Sequence, residues 1–403
     1  MTRLLFAAAL LVLFFASWIY LPAPNRPLLI LGVGAPEVCA WLALAGLVVF
    51  GFTLAAGGRG SLGKLALAIS LVATAIAVVP LVRLPFLTRG FDAAMRSALG
   101  EDFLQGVPAD RRARLRPSSF SARDFVLGIV SGEARIVRGV PFAAPGGVQL
   151  TLDVYRPPAS GRYPAVVQIY GGAWQRGAPA DDGRFATYLA ARGYVVFAID
   201  YRHAPQWQWP SQIDDVRAAL AWIREHAGDY DADGSRLALL GRSAGAHLAM
   251  LAAYEESPRS AKASAERPAI AAVVSYYGPV DLLDGYRNPP SPDPLDVRAI
   301  EEAFLGGAPD QQPDRYRAAS PITLVSRALP PSLLIYGARD HIVQSRFGAL
   351  LDARLRAAGA TSVFLEIPWA EHAFDAVPNG PSGQLALYYT ERFLAWALTR
   401  VTA

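Results

Sequence analysis

Three long runs without a charged residue stand at the beginning of the chain, at residues 4–20, 38–56 and 65–81. A helix rises 1.5 Å per residue, so each run is about long enough to cross a hydrocarbon core roughly 30 Å thick. The pattern therefore predicts about three transmembrane helices within residues 1–89 and a multi-pass membrane protein.

The first run has a second interpretation, a cleavable signal peptide. No A-x-A site closes the run and two further apolar runs follow it, which favours a retained helix. Pro36 and Glu37 interrupt the front of the second run, so its helix is expected either to start near Val38 or to enter the membrane as a re-entrant segment. Because Arg3 precedes the first run and the short loop GGRGSLGK carries two cations, we expect a cytoplasmic N-terminus and an extracytoplasmic C-terminal domain.

Beyond the apolar runs, short β-type runs alternate with amphipathic helical runs. Several of the β-type runs are almost entirely apolar, as expected for strands buried on both faces of a sheet. Alternation of strand and helix is typical of a mostly parallel sheet covered by helices. The predicted strands are VQLTLDVY, AVVQIY, YVVFAID, RLALLG, AAVVSYY, SLLIYG and VFLEIP.

These patterns predict how the chain is divided. A transmembrane region, residues 1–89, is followed by a lead segment, residues 90–135, and then by one α/β domain, residues 136–403. Within that domain, residues 281–329 are rich in proline and polar residues and contain no predicted strand. We expect that segment to form a lid or one wall of a substrate pocket.

Composition narrows the possible partners. The 403 residues carry a net charge of +4, but lysine occurs only at Lys64 and Lys262, so the basic excess is nearly all arginine. No basic cluster is interleaved with aromatic residues, and a nucleic-acid partner is not predicted. Cys39 is the only cysteine, which excludes disulfides and cysteine-based metal sites. The predicted partners are membrane lipids, and the sequence carries no signal for an oligomeric state.

The segment LALLGRSAGAHLAM, residues 237–250, places Ser243 between two glycines where a strand gives way to a helix-forming run. The G-x-S-x-G pattern is typical of a tight turn that exposes the serine hydroxyl near the positive end of the helix dipole. A serine that only caps the helix is the alternative interpretation. The nucleophile interpretation therefore requires a base and a carboxylate elsewhere in the chain.

Of the five histidines, His372 is the best candidate for the base. It follows the strand VFLEIP, and Asp340 follows the strand SLLIYG, so both come after strand carboxyl ends, where sites form in parallel sheets. The order Ser243, Asp340, His372 is the one expected for this kind of fold. The remaining histidines are interpreted as packing residues, structural residues or neighbours of the site: His203, His226, His247 and His341.

A glycine-containing loop supplies the third part of the predicted site. The loop IYGGAWQRG, residues 169–177, follows the strand AVVQIY, and its small residues let the N–H groups of Gly172 and Ala173 point at the site. The N–H of Ala244, next to the serine, is the third predicted donor to a developing oxyanion. An ordinary glycine turn is the alternative interpretation.

Together these motifs resemble the α/β-hydrolase superfamily. Within it, they are similar to the esterase and lipase branch related to hormone-sensitive lipase and to the feruloyl and acetyl-xylan esterases. The resemblance extends from about Arg138 to Trp396. It is carried by the segments YGGAW, DYRHAP followed by PSQIDDV, GRSAG, PPSLLIYGARDHIV and EHAF.

The resemblance implies a role for each residue of the predicted site. Tyr170 stands where the branch usually has a histidine, so a side chain that braces the glycine loop is expected to be lost. Ala173 replaces a glycine but keeps its N–H. The implied roles are Ser243 as nucleophile, Asp340 as orienting acid, His372 as base, and Gly172, Ala173 and Ala244 as oxyanion donors.

The predicted function is that of a membrane-anchored hydrolase of small-molecule or lipid-like carboxylic esters, which acts through an acyl-enzyme and needs no metal or cofactor. An amidase, such as a formamidase-like enzyme, or a peptidase could use the same triad. A catalytically silent binding module attached to membrane helices is the alternative from a different class. The presence of serine, acid, histidine and oxyanion loop together argues against that alternative.

Overall fold

The computed structural model describes residues 1–256, 270–327 and 329–399 of the chain. Residues 257–269, 328 and 400–403 lie outside the described part. These residues belong to the predicted 136–403 domain, and residue 328 also belongs to the predicted 281–329 segment, so those parts of both predictions lie outside the described part.

One mixed sheet forms the centre of the described chain. Its eight strands are β1 (Arg135–Ala143), β2 (Leu150–Arg156), β3 (Tyr163–Ile169), β4 (Val195–Ile199), β5 (Ala232–Arg242), β6 (Ala272–Tyr276), β7 (Ser332–Gly337) and β8 (Ser362–Ile367). Their order across the sheet is β1-β2-β4-β3-β5-β6-β7-β8. β1 and β2 pair antiparallel, β2 pairs antiparallel with β4, and β3 to β8 are parallel.

The central strands are buried on both faces, as their apolar sequences predict. Every residue of β4, β6 and β7 is buried. All seven predicted strands overlap observed strands, and the mostly parallel sheet is confirmed. β1 has no counterpart among the predicted strands, because Gly139 and Pro141 interrupt its pattern and it lies at the sheet edge with mixed exposure.

Helices cover the sheet, and several of them precede its first strand in the chain. The α-helices of the described residues are α1 (Thr2–Ser17), α2 (Arg26–Glu37), α3 (Cys39–Ala55), α4 (Ser61–Leu99), α5 (Ala109–Arg112), α6 (Ala122–Leu127), α7 (Gly183–Ala191), α8 (Ser211–His226), α9 (Ala244–Glu255), α10 (Leu282–Arg287), α11 (Val297–Leu305), α12 (Pro313–Ala318), α13 (Arg346–Ala357) and α14 (Pro381–Ala397). The alanine-rich α9 is buried from Ala244 to Tyr254, because its small side chains allow it to lie close to the sheet.

The structure corrects the prediction of about three transmembrane helices. Among the described residues, only α4 is by itself long and apolar enough to cross a membrane. α1 has 16 residues, which at 1.5 Å per residue is about 24 Å and shorter than the hydrocarbon core. α2 and α3 are bent by 80° at Val38, so they would add a second span only as one broken unit. A multi-pass topology is therefore not supported.

The N-terminal helices pack onto the sheet-containing part of the chain. Leu84, Phe91 and Met95 of α4 belong to the same apolar core as the sheet. The hydroxyl of Tyr389 in α14 lies 3.0 Å from the carbonyl oxygen of Thr88. α4 thus passes through the predicted boundary at residue 89 without interruption, whereas the proposed division of the chain into three parts stays a prediction.

Candidate active site

Ser243 lies at a sharp turn between β5 and α9. Its backbone has φ 51° and ψ −121°, a combination that residues other than glycine rarely adopt. A Cβ added at Gly241 would lie 2.3 Å from the carbonyl oxygen of Gly245, and one added at Gly245 would lie 2.1 Å from that of Ile169. Both glycines of the G-x-S-x-G motif are therefore required by close backbone contact, and the turn presents Ser243 at the carboxyl end of the parallel strands.

The structure brings Ser243, His372 and Asp340 into one hydrogen-bonded row. The Ser243 hydroxyl lies 3.0 Å from His372 Nε2, and His372 Nδ1 lies 2.8 Å from Asp340 Oδ2. The side chains of His372 and Asp340 are buried, with exposed fractions of 9% and 0%. In this row a hydroxyl proton can pass to an imidazole whose tautomer is fixed by a carboxylate.

The loop after β7 holds Asp340 in place. Its Oδ1 accepts hydrogen bonds from the N–H groups of Ile342 at 2.8 Å and Val343 at 2.7 Å. Burial raises the pKa of the Asp340 carboxyl, although the neighbouring His372 acts in the opposite direction. The backbone donors leave Oδ2 directed at the imidazole, so the carboxyl group is fixed on both sides.

Glu371 joins the loops that carry the acid and the histidine. Its Oε1 accepts hydrogen bonds from the N–H groups of His341 at 2.7 Å and His372 at 2.9 Å. Its Oε2 lies 2.6 Å from His341 Nδ1, and this hydrogen bond raises the pKa of His341. Sequence reasoning interpreted His341 only as a neighbour of the site; the structure shows that it ties the two loops together through Glu371.

The glycine loop after β3 passes directly beside the Ser243 turn. A Cβ added at Gly171 would lie 2.9 Å from the carbonyl oxygen of Arg242 and 3.2 Å from Ser243 Cβ. Ala173 and Trp174 both have positive φ, at 57° and 58°. This left-handed stretch reverses the chain next to the serine, and the absence of a side chain at Gly171 leaves space for the neighbouring backbone.

The three predicted oxyanion donors lie in the wall of the cavity that contains Ser243. They are Gly172, Ala173 and Ala244. Among the described residues, none of their N–H groups donates a hydrogen bond to a protein acceptor. Backbone N–H groups that face a cavity without a partner can bind a developing negative charge.

Tyr170 braces the glycine loop, which corrects the expectation that replacing histidine removes a brace. Its hydroxyl donates a hydrogen bond to Asp200 Oδ1 at 2.5 Å and lies 2.9 Å from His203 Nε2. Its ring stacks on that of Tyr201 with a centroid distance of 4.5 Å. A buried tyrosine can both pack and hydrogen-bond, so it replaces the missing side chain. The structural interpretation of His203 agrees with this contact.

His247 packs behind the glycine loop, as its position in α9 predicts. Trp174 Nε1–H donates to His247 Nδ1 at 3.2 Å, and His247 Nε2 lies 2.6 Å from the carbonyl oxygen of Ala319. Burial lowers the pKa of His247 to about 4, so the imidazole is neutral at pH 7. His247 thereby connects the glycine loop to the 281–329 segment.

An ionic cluster behind the serine has no clear signal in the sequence. Arg242 Nε donates to Asp375, and Arg242 Nη1 lies 3.2 Å from Asp182. Burial opposes the charge of Arg242, but the two carboxylates outweigh it and raise its pKa. Tyr277 also donates to Asp375, and its ring centroid lies 4.5 Å from that of His372. The cluster holds the histidine loop against the serine turn; its only indication is the arginine inside GRSAG.

Ser243 opens into a cavity of about 680 Å³, a size that suits small-molecule sites. One wall comes from α2 and the other from the 281–329 segment. The described residues of that segment therefore line the cavity, whereas substrate binding there stays a prediction. Nothing in the hydropathy pattern indicates the α2 wall. The cavity residues of the two walls are Arg26, Leu29, Ile30, Val33 and Gly34 on one side and Asp281, Gly285, Asn288, Pro290, Leu295, Val297, Ile300 and Glu301 on the other.

Glu301 is the unusual group in this cavity wall. Its side chain is buried, and its Oε2 has no hydrogen-bond partner among the described residues. Burial, together with nearby Asp281, raises the pKa of Glu301 well above that of an ordinary carboxyl group. In residues 1–256, 270–327 and 329–399 there is no group of three or more His, Cys, Asp or Glu side chains that could hold a metal ion.

Comparison with known sequences places the chain among esterases. The family model described as BD-FAE matches residues 152–355, which is 204 of 403 residues. Esterase LipQ of Mycobacterium tuberculosis is 32% identical over 304 residues, which cover 73% of this chain and 71% of LipQ. Esterase LipC of the same organism is 36% identical over 244 residues, which cover 58% of this chain and 59% of LipC.

Solved structures agree with this result at the level of the fold. A Pyrobaculum calidifontis esterase aligns with a TM-score of 0.56 and 25% identity, covering 65% of this chain and 84% of that one. A bacterial heroin esterase aligns with a TM-score of 0.57 and 21% identity, covering 73% of this chain and 99% of that one. Both alignments leave about a quarter to a third of this chain unmatched.

The fold, the family match and the extended similarity to LipQ lead to one conclusion: the chain belongs to the BD-FAE family of α/β-hydrolase-fold proteins and is a carboxylic-ester hydrolase.

Proposed function

We propose that Ser243, His372 and Asp340 form a catalytic triad that cleaves carboxylic esters through an acyl-enzyme. The observation that carries this proposal is the hydrogen-bonded row of 3.0 Å and 2.8 Å at a turn with positive φ. The turn sets the hydroxyl above the sheet, and the loops after β7 and β8 bring the acid and the base to it. Burial of the carboxyl group and its two backbone donors supports the orienting role of Asp340.

In the first half of the reaction, Ser243 Oγ forms a bond to the ester carbonyl carbon and gives its proton to His372 Nε2. The carbonyl oxygen becomes an oxyanion, which the N–H groups of Gly172, Ala173 and Ala244 bind. One such donor typically contributes about 3 kcal/mol to lowering the barrier. The bond between carbon and alkoxy oxygen then breaks, and His372 passes its proton to the departing alcohol.

In the second half, water replaces the alcohol beside His372. The imidazole takes a proton from the water, whose oxygen attacks the acyl carbon, and the second oxyanion occupies the same three donors. Collapse of this intermediate breaks the bond to Ser243 Oγ, which recovers its proton from His372. The products are a carboxylic acid and the free enzyme, and each step uses only residues of this chain and water.

We further propose that α4 anchors the enzyme to a membrane. Several large apolar side chains of this helix are exposed, among them Leu65 at 49%, Leu71 at 58% and Val72 at 50%. Exposed apolar area of this extent is stable in contact with lipid rather than water. The division into a membrane region, residues 1–89, a lead segment, residues 90–135, and a catalytic domain, residues 136–403, belongs to this proposal.

A serine-directed fluorophosphonate probe tests the triad proposal. The full chain and its Ser243→Ala variant are incubated with the probe, and hydrolysis of a short-chain nitrophenyl ester and of the matched anilide is measured. We expect labelling and ester hydrolysis in the wild type and neither in the variant. Equal labelling of both proteins would contradict the proposal, and faster cleavage of the anilide than of the ester would assign the triad to an amidase.

A further inference from the structure

Helix α2 contributes five residues to the cavity that contains Ser243, although it belongs to the N-terminal helices and not to the sheet domain. Three of them are apolar side chains, Leu29, Ile30 and Val33. Ile30 lines the same cavity as Ser243 and is 73% exposed, which is unusual for an isoleucine. When an apolar ligand covers an apolar side chain that is exposed in a cavity, the burial of apolar surface favours binding.

α2 is attached to the catalytic domain at its C-terminal end and is capped by its own residue at its N-terminal end. At its C-terminal end, Oε2 of the buried Glu37 accepts a hydrogen bond from the N–H of Ser382 at 2.9 Å. At its N-terminal end, the side chain of Asn25 accepts a hydrogen bond from the N–H of Leu28 at 3.2 Å and caps the helix. α2 is therefore a positioned wall of the cavity and not a loosely attached anchor.

The position of α2 relative to the triad indicates which part of an ester it faces. A Cβ added at Gly32 would lie 3.8 Å from Cγ of Glu371, the residue before His372. α2 also packs against the short turn Phe374–Ala376, just after His372. α2 thus lies on the histidine side of the serine. The histidine must reach the leaving alkoxy oxygen to protonate it, so the alcohol part of the substrate lies on this side.

We propose that α2 forms the binding surface for the alcohol part of the ester, and that the enzyme prefers esters of long apolar alcohols. This inference rests on the proposed triad, because the side of His372 has meaning only if His372 protonates the leaving group. The apolar chain of the alcohol would lie along Leu29, Ile30 and Val33. Each methylene that becomes buried there should raise kcat/KM about fourfold, the equivalent of about 0.8 kcal/mol.

Two isomeric esters separate the alcohol side from the acyl side. Octyl acetate carries its long chain on the alcohol, whereas ethyl octanoate, with the same molecular formula, carries it on the acyl group. Because the isomers are closely matched in size and composition, the ratio of their kcat/KM values reports mainly where the chain binds. The full chain is assayed by acid release in one detergent buffer, so that partitioning into micelles is the same for every variant.

We expect the ratio of kcat/KM for octyl acetate to kcat/KM for ethyl octanoate to fall about fourfold or more in Ile30→Ser. In Val33→Trp, the larger ring should narrow the chain path and lower the ratio by about tenfold. Ile30 is so exposed that its truncation should not affect folding, which keeps the test valid if Val33→Trp fails to fold. Leu127→Ser, on α6 and 72% exposed away from the cavity, is the matched control and should leave the ratio unchanged.

The outcomes are distinct. A ratio unchanged within twofold in Ile30→Ser would overturn the inference, and a rise would mean that α2 holds the acyl chain instead. Ser243→Ala separates these results from a failure of the triad proposal, because it should abolish acid release from both isomers. If Ser243→Ala abolishes release while the ratio stays constant in the α2 variants, only the α2 inference fails.

Discussion

The floor and the walls of the cavity that contains Ser243 are built in different ways. The floor consists of loops that follow β3, β5, β7 and β8, so its residues are placed by the register of a parallel sheet. The walls consist of α2 and the 281–329 segment, which are placed by side-chain contacts such as that of Glu37 with Ser382. The floor is thus fixed by backbone geometry, and the walls are fixed by long-range packing.

This difference separates the chemistry from the choice of substrate. Changes in the floor should alter the rate of every ester, because they affect bonds that all substrates share. Changes in the walls should alter stability or discriminate between esters, because only part of each substrate contacts them. Three substitutions, ordered from the largest expected effect to the smallest, sharpen or break this comparison.

Asp340→Asn tests the floor. The amide can still accept hydrogen bonds from Ile342 and Val343, but its NH₂ group would face His372 Nδ1 and favour the wrong tautomer. We expect kcat for nitrophenyl acetate to fall about 10⁴-fold with little change in KM. Glu366→Gln, an exposed carboxylate on β8, is the control and should keep wild-type kcat. A loss of less than tenfold in Asp340→Asn would show that another group orients the histidine.

His247→Gln tests the contact between floor and wall. Burial lowers the pKa of His247 to about 4 in the folded protein, from about 6.5 in the unfolded chain, so the unfolded chain binds the proton more tightly. The contribution of His247 to the free energy of unfolding is fully present above pH 6.5. It should decline by about 3 kcal/mol as the pH falls towards 4. Denaturant unfolding between pH 4 and 7 measures this decline. Parallel pH profiles for wild type and His247→Gln would contradict the account, since glutamine does not titrate.

Glu37→Ala tests the attachment of the α2 wall. Without the carboxyl group, the buried N–H of Ser382 loses its acceptor, which should lower the free energy of unfolding by about 1–3 kcal/mol. Glu37→Gln keeps an oxygen acceptor at the same position, so its free energy of unfolding should fall by less. Thermal melting of the full chain in detergent compares the two variants. Equal melting temperatures for Glu37→Ala, Glu37→Gln and the wild type would mean that this contact does not hold α2 in place.

Much of the floor could be predicted from the sequence, because its residues lie at strand ends that short apolar runs reveal. GRSAG, the loop with Gly172, and the strands before Asp340 and His372 each carry a local signal. The topology of a parallel sheet then brings their carboxyl ends to one edge. The positive φ of Ser243 agrees with the two glycines around it.

The walls could not be predicted in the same way, because hydropathy describes each run separately and not its long-range contacts. Pro36 and Glu37 indicate a break, but the 80° bend and the burial of Glu37 against Ser382 depend on residues far along the chain. The same limitation explains the prediction of three spans where, among the described residues, α4 is the only single helix long enough. Tyr170 is a similar case, since its partner Asp200 comes from a different strand end.

A structure of the full chain after reaction with an octyl methylphosphonofluoridate tests the central claim most directly. The account predicts phosphorus bonded to Ser243 Oγ, with the phosphoryl oxygen within about 3.2 Å of the N–H groups of Gly172, Ala173 and Ala244. Phosphorus on any other residue, or a phosphoryl oxygen directed away from these three donors, would contradict it.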